Sequence, residues 1–411
     1  LAKELNLNVS TRLTDDEIYG SNTTESVKIG YRPVNSLLLR ATYGSAYRSP
    51  NLRELFLMNQ TGFGTISDPC YAPDEAIDLF TGEYIPENDT RDQIVLQNCA
   101  ANGVDPTVAN GFAQYGVELS TGGSLTLDPE TADSWTAGFS WDQEFSNEFD
   151  FAVSATYYEV DIDGTIIEPS GGYIISDCYG SLTGNSPFCE RITRDLSDPT
   201  DPYITLLDAG FLNRDNEKAR GVDVNLNYGD TWTISGKPFD VDVDIRGTRV
   251  IERSTLFITD SGEEDFNTYQ GQWGFAKWKA NSYVTVRWDK YRVLWTTRYT
   301  AAVDQNPIGI DPFSDIYDTA GTGFYGDTCQ GPAYGDVTCR DVGFTDDYFV
   351  HSLSFTYEED NYALTLGARN ILDEAPPRVD GNEITSKNNA AIGYGYDMSG
   401  RTYYLLAAYT F

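Results

Sequence analysis

The constraint that most limits what this chain can fold into is an alternation of period two, clearest in its tail from Asn361 to Phe411. Between Tyr362 and Ile371 the even positions Tyr362, Leu364, Leu366 and Ala368 are apolar, while Thr365, Gly367 and Arg369 interleave. In the final segment the odd positions Tyr403, Leu405, Ala407, Tyr409 and Phe411 form the more apolar row. Successive side chains of a strand point to opposite faces, so each stretch reads as a strand with one greasy face.

The same period recurs upstream. Phe149, Phe151, Val153, Ala155 and Tyr157 face away from Asp150, Ser154 and Thr156; Phe239, Val241, Val243 and Ile245 oppose Asp240, Asp242, Asp244 and Arg246. Trp278, Ala280, Val284, Val286 and Trp288 oppose Lys277, Lys279, Asn281, Thr285 and Arg287. Twenty-eight Tyr, 20 Phe and 7 Trp, beside 2 Met and 1 His, suit strands better than helices. A sandwich would show the same alternation, its polar face meeting bulk water. The aromatic strand ends, Trp278 with Trp288 and Tyr291 with Tyr299, fit the interfacial girdles of a membrane barrel better. Mean hydropathy is −0.40 and no apolar run reaches the length of a spanning helix, so any membrane crossing must be made by a closed barrel.

The connections alternate in length. Arg32–Ser36, Gln143–Glu148, Gly229–Pro238, Asp289–Lys290 and Glu358–Asn361 are short; Ala46–Pro129, Glu168–Pro202, Ser254–Gly271, Ala302–Asp346 and Asp373–Tyr396 are long. Tight turns at one end and extended loops at the other mark an outer-membrane barrel, and about twelve strands are expected, an even number. The cysteines are Cys70, Cys99, Cys178, Cys189, Cys329 and Cys339, in polar segments without C-x-x-C spacing, and one His cannot support a Cys/His zinc site. Disulfides in an oxidising compartment follow. Six cysteines allow about fifteen connectivities; local pairing is the expectation, and it puts all three bridges in long loops on one side.

Asp and Glu number 63 against 28 Lys and Arg, a formal charge of −35. Nucleic acid is therefore excluded as a partner, because phosphate binding needs a basic face. The acidic clusters Thr14–Glu17 and Gly262–Asp265 lack the spaced ligands and central Gly of an EF-hand loop, so neither a metal nor a cofactor is expected. His351 lies in an apolar row, and no catalytic Ser/His/Asp or Cys/His set is apparent.

Several stretches resemble one family. LLLRATYGSAYRSPNLRELF (Leu37 to Phe56) resembles the strand of TonB-dependent outer-membrane receptors that runs outward into an R-x-P-x-L-x-E-L-F-like turn. LDPETADSWTAGFSWD (Leu127 to Asp142), ATYYEVDIDGTI (Ala155 to Ile166) and LNRDNEKARGVDVNLNY (Leu212 to Tyr228) are similar to the strands that follow. GARNILDEAPP and SGRTYYLLAAYTF resemble the closing hairpin. The resemblance covers essentially the whole chain, in family order. It implies an all-β transmembrane antiparallel barrel in which residues 1–411 supply the C-terminal part of a wall of about twenty-two strands. The N-terminal plug and first strands would lie outside this chain, and no signal peptide is seen at Leu1.

The resemblance further implies residence in the bacterial outer membrane among its lipid, insertion by the barrel-assembly machinery reading Tyr409 and Phe411, and energy from a TonB-type protein acting through the plug. A large scarce solute would be taken up without covalent chemistry: an oligosaccharide, a ferric siderophore or a corrinoid. Ligand contacts are expected from ring-rich outer loops at Tyr71, Tyr115, Tyr173, Tyr179, Tyr269, Tyr317, Tyr325 and Tyr334. Arg40, Arg246, Lys277, Arg298 and Arg369, on the polar face, are expected to meet the plug or neighbouring strands. Two other classes would use similar strands. A passive porin would have a narrower unplugged barrel, and a secreted all-β carbohydrate-binding protein or enzyme would be soluble without detergent.

Overall fold

The computed structural model describes residues 3–78, 80–108, 114–145, 149–181, 184, 186–258, 264–304, 317–318, 339–340, 346–379, 386–387 and 390–410. The chain opens with β1 (Glu4–Asp16), β2 (Gly20–Val34) and β3 (Leu37–Arg48), then makes an excursion containing α1 (Leu52–Phe56), β4 (Gln60–Ser67), α2 (Gln93–Ala101) and β5 (Gln114–Thr121). After β6 (Glu130–Phe145) and β7 (Phe149–Ile167), a second excursion carries α3 (Gly171–Gly180), β8 (Ile192–Arg194) and β9 (Ile204–Asp208). Next come β10 (Leu212–Ile234), β11 (Lys237–Ile258), the short β12 (Glu264–Thr268), β13 (Trp278–Trp288) and β14 (Tyr291–Thr300). The pair β15 (Tyr317–Asp318) and β16 (Cys339–Arg340) precedes β17 (Tyr348–Glu358) and β18 (Tyr362–Arg369). A last small pair, β19 (Ser386–Lys387) and β20 (Ala390–Ala391), leads to β21 (Thr402–Tyr409).

The wall is one antiparallel sheet in the order β1-β2-β3-β6-β7-β10-β11-β13-β14-β17-β18-β21, with β12 attached to β11. The expected dozen strands are there. Every step joins strands adjacent in the wall's own sequence, the up-and-down topology of a barrel. Tight turns close one end, two-residue ones where Ser235 (φ 54°) and Gly236 (φ 77°) link β10 to β11 and where Asp289 (φ 54°) begins the turn into β14. Those left-handed angles suit a hairpin turn whose twist matches its strands. All the long excursions leave the opposite end. Three boundaries differ from expectation: β10 and β11 run on into the predicted Gly229–Pro238 loop, β10 begins only at Leu212, and β11 continues to Ile258. Alternating residues outside the wall account for the second difference, since Ile204–Asp208 is a strand of another sheet.

Register separates the two faces. Tyr228, Val243, Val284, Trp295, Leu353, Ala368 and Tyr403 lie in one row across successive strands. A row on the other face, further toward the outer rim, contains Asn225, Arg246, Asn281, Arg298 and Val350. Side chains of the apolar face stand open: Leu7 is 65% exposed and Leu405 68%. Near the tight turns this face carries a belt of rings in contact. Phe145 stacks on Phe149 at 4.6 Å, Trp232 meets Phe239 at 6.0 Å, and Tyr291 meets Phe355 at 5.7 Å and Tyr357 at 5.4 Å. A face of exposed aliphatics ending in aromatics is the pattern of a sheet solvated by lipid.

Buried apolar side chains concentrate instead outside the wall. Ile174, Phe188, Ile204, Leu207, Val104 and Val117 are fully buried, and with Ile66, Ile175 and Tyr179 they form one core. That core belongs to the two excursions, which from sequence alone are expected to be long loops.

Candidate functional site

The excursions share a second sheet, in the order β4-β5-β9-β8. β5 comes from the first and β9 from the second, joined in parallel through Glu118↔Leu206, Leu119↔Leu207 and Ser120↔Asp208. Two disulfides staple this outer domain, Cys70–Cys99 and Cys178–Cys189, the local pairing expected. Cys329 and the side chain of Cys339 lie outside the described residues.

At its centre is Asp68, buried beneath the sheet. Its carboxylate accepts two hydrogen bonds from the Arg194 guanidinium, at 2.7 and 3.0 Å, one from Tyr115 Oη at 2.8 Å, and one from the Cys70 N–H at 3.0 Å. Arg194 also donates to Tyr179 Oη at 2.9 Å and lies over its ring. Burial alone would weaken the Arg194 charge, but the hydrogen bonds it donates to the Asp68 carboxylate, with that group's negative charge, outweigh burial and raise its pKa further. Burial first, then the Asp68 charge, drives the Tyr115 hydroxyl far above the phenol range. A buried charge pair is tolerable only when its remaining hydrogen bonds are satisfied. Asn98 makes a second cross-tie, donating to the carbonyls of Tyr179 at 3.0 Å and Ser181 at 2.8 Å. Nothing in the sequence singles out Asp68, Arg194 or Asn98. Asp68 and Arg194 stand 126 residues apart, so no local spacing marks them.

The domain is rooted in the wall at its outer rim. Asn51 and Glu54 form a capping box on α1, and Arg48 reaches Glu54 at 2.9 Å and Glu130 at 2.5 Å. Arg53 bridges to Glu168 at 3.5 Å. Phe257 from the far end of β11 enters the outer core, edge-on to Phe188 at 5.4 Å and Tyr173 at 6.1 Å.

The rings expected at a ligand surface divide accordingly. Tyr71 and Tyr179 are buried, each 2% exposed. Tyr115 and Tyr173 pack against the outer core, and Tyr269 contacts Thr255 Oγ1 at 3.2 Å and the Phe275 ring at 5.7 Å. In this conformation Tyr71 and Tyr179 offer no face to a solute. Tyr325 and Tyr334, the side chain of Tyr317, and Phe411 lie outside the described residues.

Of the charged residues, Arg40, Arg246, Arg298 and Arg369 fall on the polar face. Arg40 spans Gly138 of β6 to reach Thr156 Oγ1 at 2.7 Å. A Cβ at Gly138 would come within 2.4 Å of the Ala155 carbonyl. Arg246 is neutralised by Asp244 at 2.9 Å, and neighbouring Arg287 by Asp242 at 2.6 Å. Lys277 lies just outside β13 at the rim, its aliphatic stem against Gly271. Arg298 and Arg369 line a cavity of about 720 Å³ roofed by residues 395–399. His351 is on the apolar face, its Nδ1 2.9 Å from Thr297 Oγ1 and its ring 5.4 Å from that of Trp295.

Among the described residues no group of three or more His, Cys, Asp or Glu is arranged to hold a metal ion. The cluster at Thr14–Glu17 is spent locally: Asp15 accepts from Ser21, and Asp16 caps the Ile18 and Tyr19 amides. Gly262 and Glu263, with the Asp265 side chain, lie outside the described residues.

A lipid-facing antiparallel wall with tight turns on one rim and a folded domain on the other defines an outer-membrane β-barrel protein. Residues 1–371 match the family described as TonB dependent receptor-like, beta-barrel, and the chain belongs to this family. Its place is the outer membrane of Gram-negative bacteria. The fold resembles the ferric enterobactin receptor of Pseudomonas aeruginosa solved with enterobactin (TM-score 0.52, 15% identity, 98% of this chain and 43% of that one). It also resembles the siderophore receptor PirA of Acinetobacter baumannii (TM-score 0.51, 14% identity, 99% and 43%). A 50-residue stretch is 38% identical to the vitamin B12 transporter BtuB of Vibrio cholerae, covering 12% of this chain and 8% of that protein. The chain thus spans less than half the length of the solved receptors and a small part of the curated relative.

Proposed function

We propose that this chain contributes wall and outer domain to a receptor that takes up a large, scarce solute by TonB-dependent active transport. The observation that carries the reading is the outer domain itself. A passive pore needs loops that stay out of the way, whereas here two excursions are knitted into one cored, disulfide-clipped body above the wall. In this reading residues 1–411 form the C-terminal portion of the barrel, a plug in the complete receptor meets Arg40, Arg246 and Lys277, and Arg298 and Arg369 line the solute path. A TonB-type protein supplies energy through that plug, and the assembly machinery recognises the strand ending in Tyr409 and Phe411. Membrane lipid covers the apolar face.

The cargo class is an oligosaccharide, a ferric siderophore or a corrinoid. The relatives named above concern siderophores and vitamin B12, and their low identity or short coverage leaves the choice to chemistry. A surface of net charge −35 repels a densely anionic chelate, which favours a sugar. Family members are receptors and transporters, so binding and transport, not catalysis, is the activity to assay.

The test is accumulation of labelled solute by cells carrying the gene, after a thermal-shift screen of the purified receptor against the three cargo classes. Uptake abolished by a protonophore is expected. Uptake that persists without energy would identify a passive channel and overturn the reading. The receptor taken from its native membrane should also have a mass well above that of this 411-residue chain.

A further inference from the structure

The cavity under the last outer loop has the chemistry of a selective site. Its floor is the polar face of β13, β14, β17 and β18, where Asn281, Tyr283, Thr296, Ser352, Arg298 and Arg369 converge. Other arginines of the polar face are neutralised, Arg246 by Asp244 and Arg287 by Asp242. Among the described residues no carboxylate stands within ion-pair distance of Arg298 or Arg369. Asp397, the acidic residue of the lining, holds the Ser399 N–H at 2.9 Å.

The site is built and held in place. The Tyr404 ring lies over Gly367, where a Cβ would approach the ring to 2.2 Å, and Arg369 sits over that ring at 5.5 Å. Arg369 is therefore positioned by a cation–π contact, its N–H groups still available for an anion. The roof is pinned by Tyr396, 5.4 Å from the Trp273 ring and 5.0 Å from that of Tyr348. The Asp397 amide donates to Tyr348 Oη at 3.2 Å. Tyr283 presents a ring, 42% exposed, beside side-chain amide and hydroxyl groups.

We propose that this cavity binds the acidic ring of a uronic-acid-containing oligosaccharide. Two guanidiniums take the carboxylate, the amide and hydroxyl side chains take ring hydroxyls, and Tyr283 supplies a stacking face. The volume, about 720 Å³, suits one or two sugar rings rather than a bare inorganic anion. An oligosaccharide with a single acidic ring also escapes most of the repulsion that the acidic exterior exerts on a densely charged chelate. The inference rests on the transport reading and narrows its cargo.

The test is titration calorimetry of the full-length receptor in detergent with glucuronosyl-xylotriose, against xylotetraose as a neutral match. The acidic sugar is expected to bind at least tenfold tighter than the neutral one. Arg298→Gln and Arg369→Gln should each lose tenfold or more for the acidic sugar and little for xylotetraose, with Arg298→Lys recovering part of the loss. Heat-modifiable mobility on gels checks that each variant keeps its barrel. Equal affinity for the two sugars, no binding of the acidic one, or variants that bind like the parent would overturn the proposal. Protonophore-sensitive uptake in the same cells is scored separately, so the cargo can fail while the transporter stands.

Discussion

At the residue scale the outer domain hangs on few side chains. Removing one member of a buried ion pair leaves its partner charged and unpaired, which costs about 3–5 kcal/mol. Asp68→Ala should destabilise the outer domain by about that amount, seen as faster hydrogen exchange in β4, β5 and β9 with the wall strands unchanged. Asp89 gives a pH prediction. Hydrogen bonds from Arg91, at 2.6 to 3.2 Å, and from Tyr84 hold its carboxyl well below the usual carboxylate range. A depressed folded-state pKa adds stability above the unfolded value of ~3.9, and that stability is lost as pH falls toward the folded value. Amides around residues 84–91 should therefore lose exchange protection in acid, and Asp89→Asn should remove most of that acid dependence. Single residues are also where the sequence is least legible. A tyrosine in a polar, cysteine-clipped loop looks the same whether displayed or packed, and Tyr71 and Tyr179 are packed. Arg40 could be assigned to the polar face, because parity along a strand settles that.

At the element scale, alternation made the wall legible and hid the outer domain. A wall strand is long and solvated differently on its two faces, so its period is plain in sequence. β10 runs 23 residues and β11 22, more than the ~9–11 that a membrane requires. Their excess carries the wall past the lipid to give the outer domain a footing, as Phe257 shows. β9 is a 5-residue strand, Ile204–Asp208, within a long polar connection, too short for periodicity to outweigh its surroundings. The helix Gln93–Ala101 likewise depends on its disulfide and on Asn98 for its place. Breaking the second clip tests that dependence. Cys178→Ser with Cys189→Ser opens a loop of sequence separation 11, and should cost the outer domain about 2–4 kcal/mol. Limited proteolysis should then cut within residues 171–208 while the barrel core keeps its heat-modifiable mobility.

At the scale of the whole molecule, two bodies with different solvents share one chain. The wall is held by inter-strand hydrogen bonds and by lipid on its apolar face, the outer domain by a buried core and disulfides in water. They should unfold separately. Heating in detergent with reductant is expected to melt the outer domain first, as a distinct calorimetric transition, while far-ultraviolet dichroism of the wall persists; a single cooperative transition would show the two bodies to be coupled. The architecture of the wall could be read from the sequence because each strand reports its own orientation. The union of the two excursions could not, because β5 and β9 are separated along the chain by the whole hairpin β6–β7 and no local spacing marks their pairing. That parallel seam carries a consequence for inheritance. Neither excursion can be exchanged alone for that of a related receptor without stripping the other of a sheet neighbour and of one half of the Asp68–Arg194 pair. The two must therefore travel together through recombination, although a membrane-spanning hairpin lies between them in the gene.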